Sequence, residues 1–188
     1  MGLLSPKNIA AHCVHLEEED RLLLKKYGML AVPCPTSNLR LAAGFPQLVA
    51  MKEAGVNYAL GTDGQSSGNA MDLWKEMRLA SLLSSAQTNN PGAFADWEIL
   101  QMCTSTPAQH LFAEENETMG VLEVGAKADL IAVNTDAPHF TALNDPLSAA
   151  IHHTLPTDVD WVMVNGEVLY EQGQYTRLDE EHIRYEVQ

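Results

Sequence analysis

In the first ninety residues apolar strand-like runs alternate with helical ones, and this alternation restricts the fold more than any other feature. Asn8 to Val14, NIAAHCV, is strand-like. EEEDRLLLKKYG follows, with acids in its first turn, lysines in its last and Gly28 beyond, a polarity that complements a helix dipole and its left-handed cap. Met29 to Cys34, MLAVPC, predicts a second strand, PQLVAMKEA opened by Pro46 and closed by Gly55 a second helix, and Asn57 to Leu60 a third strand. A longer helix is predicted from about Ala70 to Ser85, with Leu73, Met77 and Ala80 on one apolar face. Strands separated by helices must pair in parallel through right-handed crossovers, and strands this apolar on both faces suit a sheet covered on both. The fold class is therefore α/β.

Two more helices are expected after residue 90, one capped by Asp96 and one opened by Thr106-Pro107-Ala108-Gln109, which has the form of a capping box with proline at the first helical position. Beyond Glu114 the pattern changes. ADLIAV, VDWVMV and EVLY are short strand-like segments, and Asn165-Gly166 between the last two is a strong hairpin signal. The chain thus divides into an α/β part, residues 1–116, and a β-rich part, residues 117–188. No internal repeat is present.

Charge removes whole classes of function. Twenty-five acidic against 11 basic residues give a net charge of −14, which repels nucleic-acid backbones and anionic lipid, so neither is an expected partner. No run is long enough to span a membrane, and MGLLSPKN lacks the charged and apolar regions of a signal peptide. Three widely spaced cysteines, Cys13, Cys34 and Cys103, do not form a disulfide framework and suit a reducing compartment, so a cytoplasmic location is expected.

In parallel α/β folds reactive groups gather at the C-terminal ends of strands. Two ionisable residues meet that test: His12 near the end of the first strand and Asp63 just past the third. Each has a plainer alternative. Asp63-Gly64 is a common turn dipeptide, and His12 can be a core histidine satisfied by a backbone group. His15 cannot join His12 on one ion while the strand stays regular, since residues three apart on a strand face opposite ways. His152-His153 suits a loop or surface better than a metal tract, and Ser66, Ser67 and Asn69 suit caps and turns. A nucleophile elbow, a P-loop and a G-x-G-x-x-G dinucleotide loop are all absent. What survives is a His12–Asp63 pair suited to activating water.

Taken in order, IAAHCVHL, CPTSNLRLAAG, YALGTDG and MGVLEVGAKADLIAV resemble the amidohydrolase superfamily, in particular its adenine-nucleoside deaminases and next its triazine chlorohydrolases. The resemblance runs over nearly the whole chain. It implies the C-terminal part of a metal-dependent hydrolase-type (β/α)8 TIM barrel plus half of a small β-sandwich, within a longer enzyme. It also implies one divalent metal ion, zinc on the family pattern, that acidifies a water for attack on C6 of the adenine ring of 5′-methylthioadenosine, S-adenosylhomocysteine or a related adenosine. On that pattern Asp63 is a metal ligand, touches the substrate and accepts the water's proton, while His12 hydrogen-bonds the attacking oxygen. The family's His-x-His pair, its further histidine ligand and the glutamate that protonates the ring have no counterpart in this sequence. An N-terminal piece or a second copy of the chain is the partner this implies, with hydrolysis of another ring substituent, such as triazine chloride or the guanine amino group, or a silent fragment as alternatives.

Overall fold

The computed structural model describes residues 4–112, 117–142 and 144–187. The α/β part runs β1 (Ile9–Ala11), α1 (Glu18–Lys26), β2 (Leu30–Val32), α2 (Pro35–Arg40), α3 (Leu48–Ala54), β3 (Asn57–Tyr58), α4 (Gln65–Gly68), α5 (Leu73–Thr88), α6 (Asp96–Gln101) and α7 (Ser105–Leu111). The strands form one parallel sheet in the order β1-β2-β3, with Ile9 opposite Leu30 and Leu30 opposite Asn57. Parallel pairing is what the alternating pattern demanded.

Helix ends follow local chemistry. The Glu17 N–H donates to Asp20 at 2.9 Å ahead of α1, and α3 closes on Gly55 in the left-handed region at φ 71°. Asp96 is not the cap of α6: Ala95 holds that position, and its N–H is taken by Glu98 at 2.9 Å, leaving Asp96 in the first turn. Thr106 likewise lies inside α7, whose first residue is Ser105, so Pro107 falls within the first turn, where a missing N–H costs nothing. On α5 the buried face is Glu76, Met77, Ala80 and Ser84, and Leu73 stays partly exposed at the helix start.

The central strand is buried on both faces and the edge strand β1 on one. Ala31 packs with Leu24 of α1, Met51 of α3, Met29, Val56 and Cys13, and Ala10 and Tyr58 lean on the same cluster. A second cluster joins Leu48, Leu60, Met77, Ala80, Phe94, Ile99 and Met102. On the opposite face of β1, Ile9 and Ala11 are exposed. The expectation of two covered faces therefore fails at β1, although Leu30 of β2, beside Ile9 on the same face, is buried.

In the remaining chain, β4 (Leu130–Val133), α8 (Pro146–His152), β5 (Val159–Val164), β6 (Glu167–Glu171), β7 (Gln174–Tyr175) and α9 (Glu180–Glu186) follow one another. The four strands make an antiparallel sheet in sequence order. Asn165 and Gly166 turn β5 into β6 with φ of 50° and 81°, both positive, as the type I′ hairpin turn requires. Residue 116, where the sequence placed the division, lies outside the described residues. Helix α8 belongs physically with the first part. Ile151 is fully buried in the second cluster, Trp74 Nε1 donates to the Ala150 carbonyl at 2.8 Å, and Arg78 donates to that of Thr154 at 2.8 Å. Its start was legible: Asp145 accepts from the Leu147 and Ser148 N–H groups and Pro146 takes the first helical position. Among the described residues no helix is long and apolar enough to cross a membrane.

Candidate active site

His12 and Asp63 come together. His12 is the first residue past β1, held in line by its N–H to the Val32 carbonyl at 2.9 Å, and Asp63 lies beyond β3 in the loop before α4. Their side chains approach at the C-terminal edge of the sheet, with Nε2 of His12 4.0 Å from Oδ2 of Asp63. That gap is too long for a direct hydrogen bond and short enough for both atoms to reach one oxygen placed between them. Both side chains are partly open to solvent, 46% for His12 and 29% for Asp63, so His12 is not a core histidine. His15 sits in an exposed turn and takes no part.

Backbone strain marks the same spots. His12, Cys13 and Asp63 have φ of 67°, 52° and 57°, a region that costs a non-glycine residue about 1–2 kcal/mol. Asp63 lies in no regular turn: it stands in the loop before α4, with Oδ1 accepting from the neighbouring Gly64 N–H at 2.6 Å. Gly68 closes the loop against Asp63: a Cβ there would lie 2.6 Å from the Thr62 carbonyl oxygen, which cannot move without displacing Asp63.

Helix α2, which the sequence reading did not foresee, supplies the inner wall. Ser37 Oγ donates to Oδ2 of Asp63 at 2.6 Å, and Oδ1 of Asn38 lies 2.7 Å from Nδ1 of His12. Both residues are buried. Proline at the first helical position was the available signal for the helix; polar Thr36, Ser37 and Asn38 after an apolar strand were the signal for the site. Under α2 lies Glu76 of α5, fully buried, with Oε2 accepting the Thr36 N–H at 2.9 Å. Its Oε1 and the Thr36 hydroxyl have no hydrogen-bond partner.

These contacts set the charges. The Ser37 hydroxyl, then the Gly64 N–H, the Ser67 hydroxyl and His12 hold Asp63 below the usual carboxylate range against a small desolvation cost, so it is ionised at neutral pH. Ser67, expected in a cap or turn, lies within α4 and reaches Asp63 from there, while Asn69 is the left-handed cap of that helix. Burial raises Glu76 in spite of the Thr36 N–H bond, favouring the neutral acid. Burial pushes Cys13 up to about 11 and Cys103 to about 12, and Cys34 is raised by burial and then by Asp63, so all three thiols are free, inert small residues. His152 meets Asp96 at 3.3 Å, a pairing of neighbouring helices.

Asp63 presents an anionic oxygen edge that fits a divalent metal as one donor. Among the described residues no group of three or more His, Cys, Asp or Glu could hold a metal ion.

The chain is 38% identical over 188 residues to a 5-methylthioadenosine/S-adenosylhomocysteine deaminase of Caldanaerobacter subterraneus subsp. tengcongensis, covering 100% of this chain and 43% of the relative. It is 42% identical over 183 residues to the deaminase of the same name from Pyrococcus furiosus, covering 97% and 43%. An adenosine deaminase from Xanthomonas campestris with bound zinc superposes with a TM-score of 0.92 at 32% identity, over 98% of this chain and 42% of that one. The atrazine chlorohydrolase of Arthrobacter aurescens TC1, complexed with zinc, gives a TM-score of 0.87 at 28% identity, over 97% and 40%. The chain spans less than half the length of these relatives, and its strand and helix units are the C-terminal portion of their TIM-barrel architecture. Since the model described as "Amidohydrolase family" matches residues 1–169, the chain belongs to the amidohydrolase family.

Proposed function

We propose that the complete protein is a metal-dependent hydrolytic deaminase of adenine nucleosides, 5′-methylthioadenosine or S-adenosylhomocysteine among them. The observation that carries this is the pair at the sheet edge: an ionised Asp63 and a half-exposed His12 whose Nε2 and Oδ2 atoms, 4.0 Å apart, can share one oxygen. The identity to curated deaminases supports the substrate class.

In this reading a bound divalent metal ion, zinc by the precedent of the similar structures, supplies acidification of a water. Asp63 lends one donor oxygen, accepts the proton released by the attacking water and passes it toward the departing nitrogen, contacting the substrate there. Its low pKa makes it a ready anion and a weak base, so accepting a proton requires that the water be acidified. His12 hydrogen-bonds the attacking oxygen through Nε2. A C6–O bond forms, the C6–N bond breaks and ammonia leaves, giving the inosine analogue. The remaining donors and the acid that protonates the ring come from (β/α) units outside this chain, an N-terminal piece being the fitting partner and a second copy the alternative. Residues 1–116 with α8 then form part of the barrel, and the strands of 117–188 part of a composite sandwich. Three unpaired thiols fit a cytoplasmic location.

The test is turnover by the complete protein, followed by the ultraviolet change from adenine to hypoxanthine. Release of ammonia from adenine nucleosides is the expected result, and a metal-loaded enzyme that turns over no purine would refute the assignment. The superposition with the atrazine chlorohydrolase favours a second reading, hydrolysis of another ring substituent, so triazines and guanine belong in the same panel. The 188-residue chain by itself should be silent and hold well under one equivalent of zinc after dialysis, because its described residues contain no group of three candidate ligands. Stoichiometric zinc in elemental analysis would contradict the incomplete donor set.

A further inference from the structure

We propose that Asn38 is a positioning residue that holds His12 in the tautomer with its proton on Nδ1, so that Nε2 faces Asp63 as an acceptor. The catalytic consequence rests on the deaminase reading; the tautomer does not. A neutral imidazole carries a single N–H, and the partner of one nitrogen decides what the other can do. Asn38 Oδ1 is 2.7 Å from Nδ1, and an amide oxygen has no proton to give, so a hydrogen bond here requires the proton on Nδ1. The pair couples residues 26 positions apart, and Asn38 is almost wholly buried while the imidazole is half exposed, so Asn38 is the fixed member.

The arrangement has a cost that a passive packing residue would not show. Asn38 Nδ2 is buried with no hydrogen-bond partner. A leucine would fill a similar volume without that penalty, so the amide is retained for its oxygen. Backbone geometry gives a second reason for a guide. His12 keeps one backbone bond to β2, through Val32, but leaves β1 in a left-handed conformation and Cys13 follows in another, so the extended strand geometry no longer aims the imidazole. Neighbouring Ser37 performs the matching task for Asp63, so two adjacent residues of α2 aim both reacting side chains at the same point. Asn38 touches neither substrate nor reacting water; it acts through His12.

The opposed influence is Asp63 itself, whose anionic Oδ2 at 4.0 Å attracts a proton to Nε2. Only a close acceptor at Nδ1 outweighs it, since a hydrogen bond of 2.7 Å exceeds a solvent-screened attraction at 4.0 Å. Without Asn38 the proton should move to Nε2 and point at Asp63, and the O–H of an attacking water would then lose its acceptor.

The experiment uses nitrogen-15 imidazole shifts of His12 in the complete protein, at a pH where the ring is neutral, in wild type, Asn38→Leu and Asn38→Asp. Wild type should show protonated Nδ1 and a pyridine-type Nε2. Asn38→Leu should shift the proton toward Nε2 and lower kcat about 10–100-fold with KM changed less than threefold, the range seen for partners that orient a working histidine. Asn38→Asp, able only to accept, should restore the Nδ1–H tautomer and most of kcat. Protonated Nε2 in the wild type, an unchanged tautomer in Asn38→Leu, or no recovery in a folded Asn38→Asp would each overturn the proposal. Because the shifts are read without substrate, a failed deaminase assignment would leave them interpretable.

Discussion

Asp63→Asn should lower kcat of the complete enzyme by about 10³-fold or more, within the range ascribed to a positioned proton-transfer group. The substitution is close to isosteric, and asparagine adopts the left-handed region as readily as aspartate, so the φ of 57° at this position adds no strain. An asparagine oxygen can still accept from Ser37 or from the Gly64 N–H. What is lost is the negative charge and the basic oxygen. Thermal unfolding should therefore stay within a few degrees of wild type while turnover collapses, and metal content, read by elemental analysis, should fall with it. A loss of less than tenfold in a fully metal-loaded variant would remove Asp63 from proton transfer.

Glu76→Ala should destabilise the protein by about 3 kcal/mol in urea denaturation. The variant strands the buried Thr36 N–H, worth about 1–3 kcal/mol, and leaves a void under α2. Glu76→Gln should cost under about 1 kcal/mol, because a neutral amide oxygen can take the same N–H bond at 2.9 Å and burial already favours the uncharged form of the side chain. The sign of the pH dependence follows. Burial raises the folded pKa of Glu76 above its unfolded value, so its contribution is complete below the unfolded pKa and is lost as pH rises through the folded one. Glu76→Gln should flatten that loss, and equal destabilisation by Gln and Ala would show that an ionised carboxylate is required. Activity should follow stability in Glu76→Ala, since α2 carries Ser37 and Asn38.

Much of this architecture was readable before any coordinate. The order of apolar and helical runs required a parallel sheet, Asn165-Gly166 required a hairpin, and strand-end logic selected His12 and Asp63 from seven histidines and many acids. These are local signals: a period, a dipeptide with two positive φ angles, a position at the end of a run. The pattern was less reliable where an element's role depends on what it meets. Leu73 had the correct helical spacing and is partly exposed, and α8 lay in a segment expected to be β-rich yet docks on α5.

The inner wall of the site was not readable. Ser37 reaches Asp63 and Asn38 reaches His12 across 26 residues each, and Glu76 reaches Thr36 across 40. Hydrogen bonds over such separations leave no periodic trace, because the residues meet only when parallel strands bring their C-terminal ends to one edge. By itself the sequence determined the strand and helix units, the hairpin and the two residues at the strand ends, since those follow from periodicity and turn chemistry. Tertiary structure alone decided which buried polar groups orient His12 and Asp63, since that depends on which loops share an edge of the sheet.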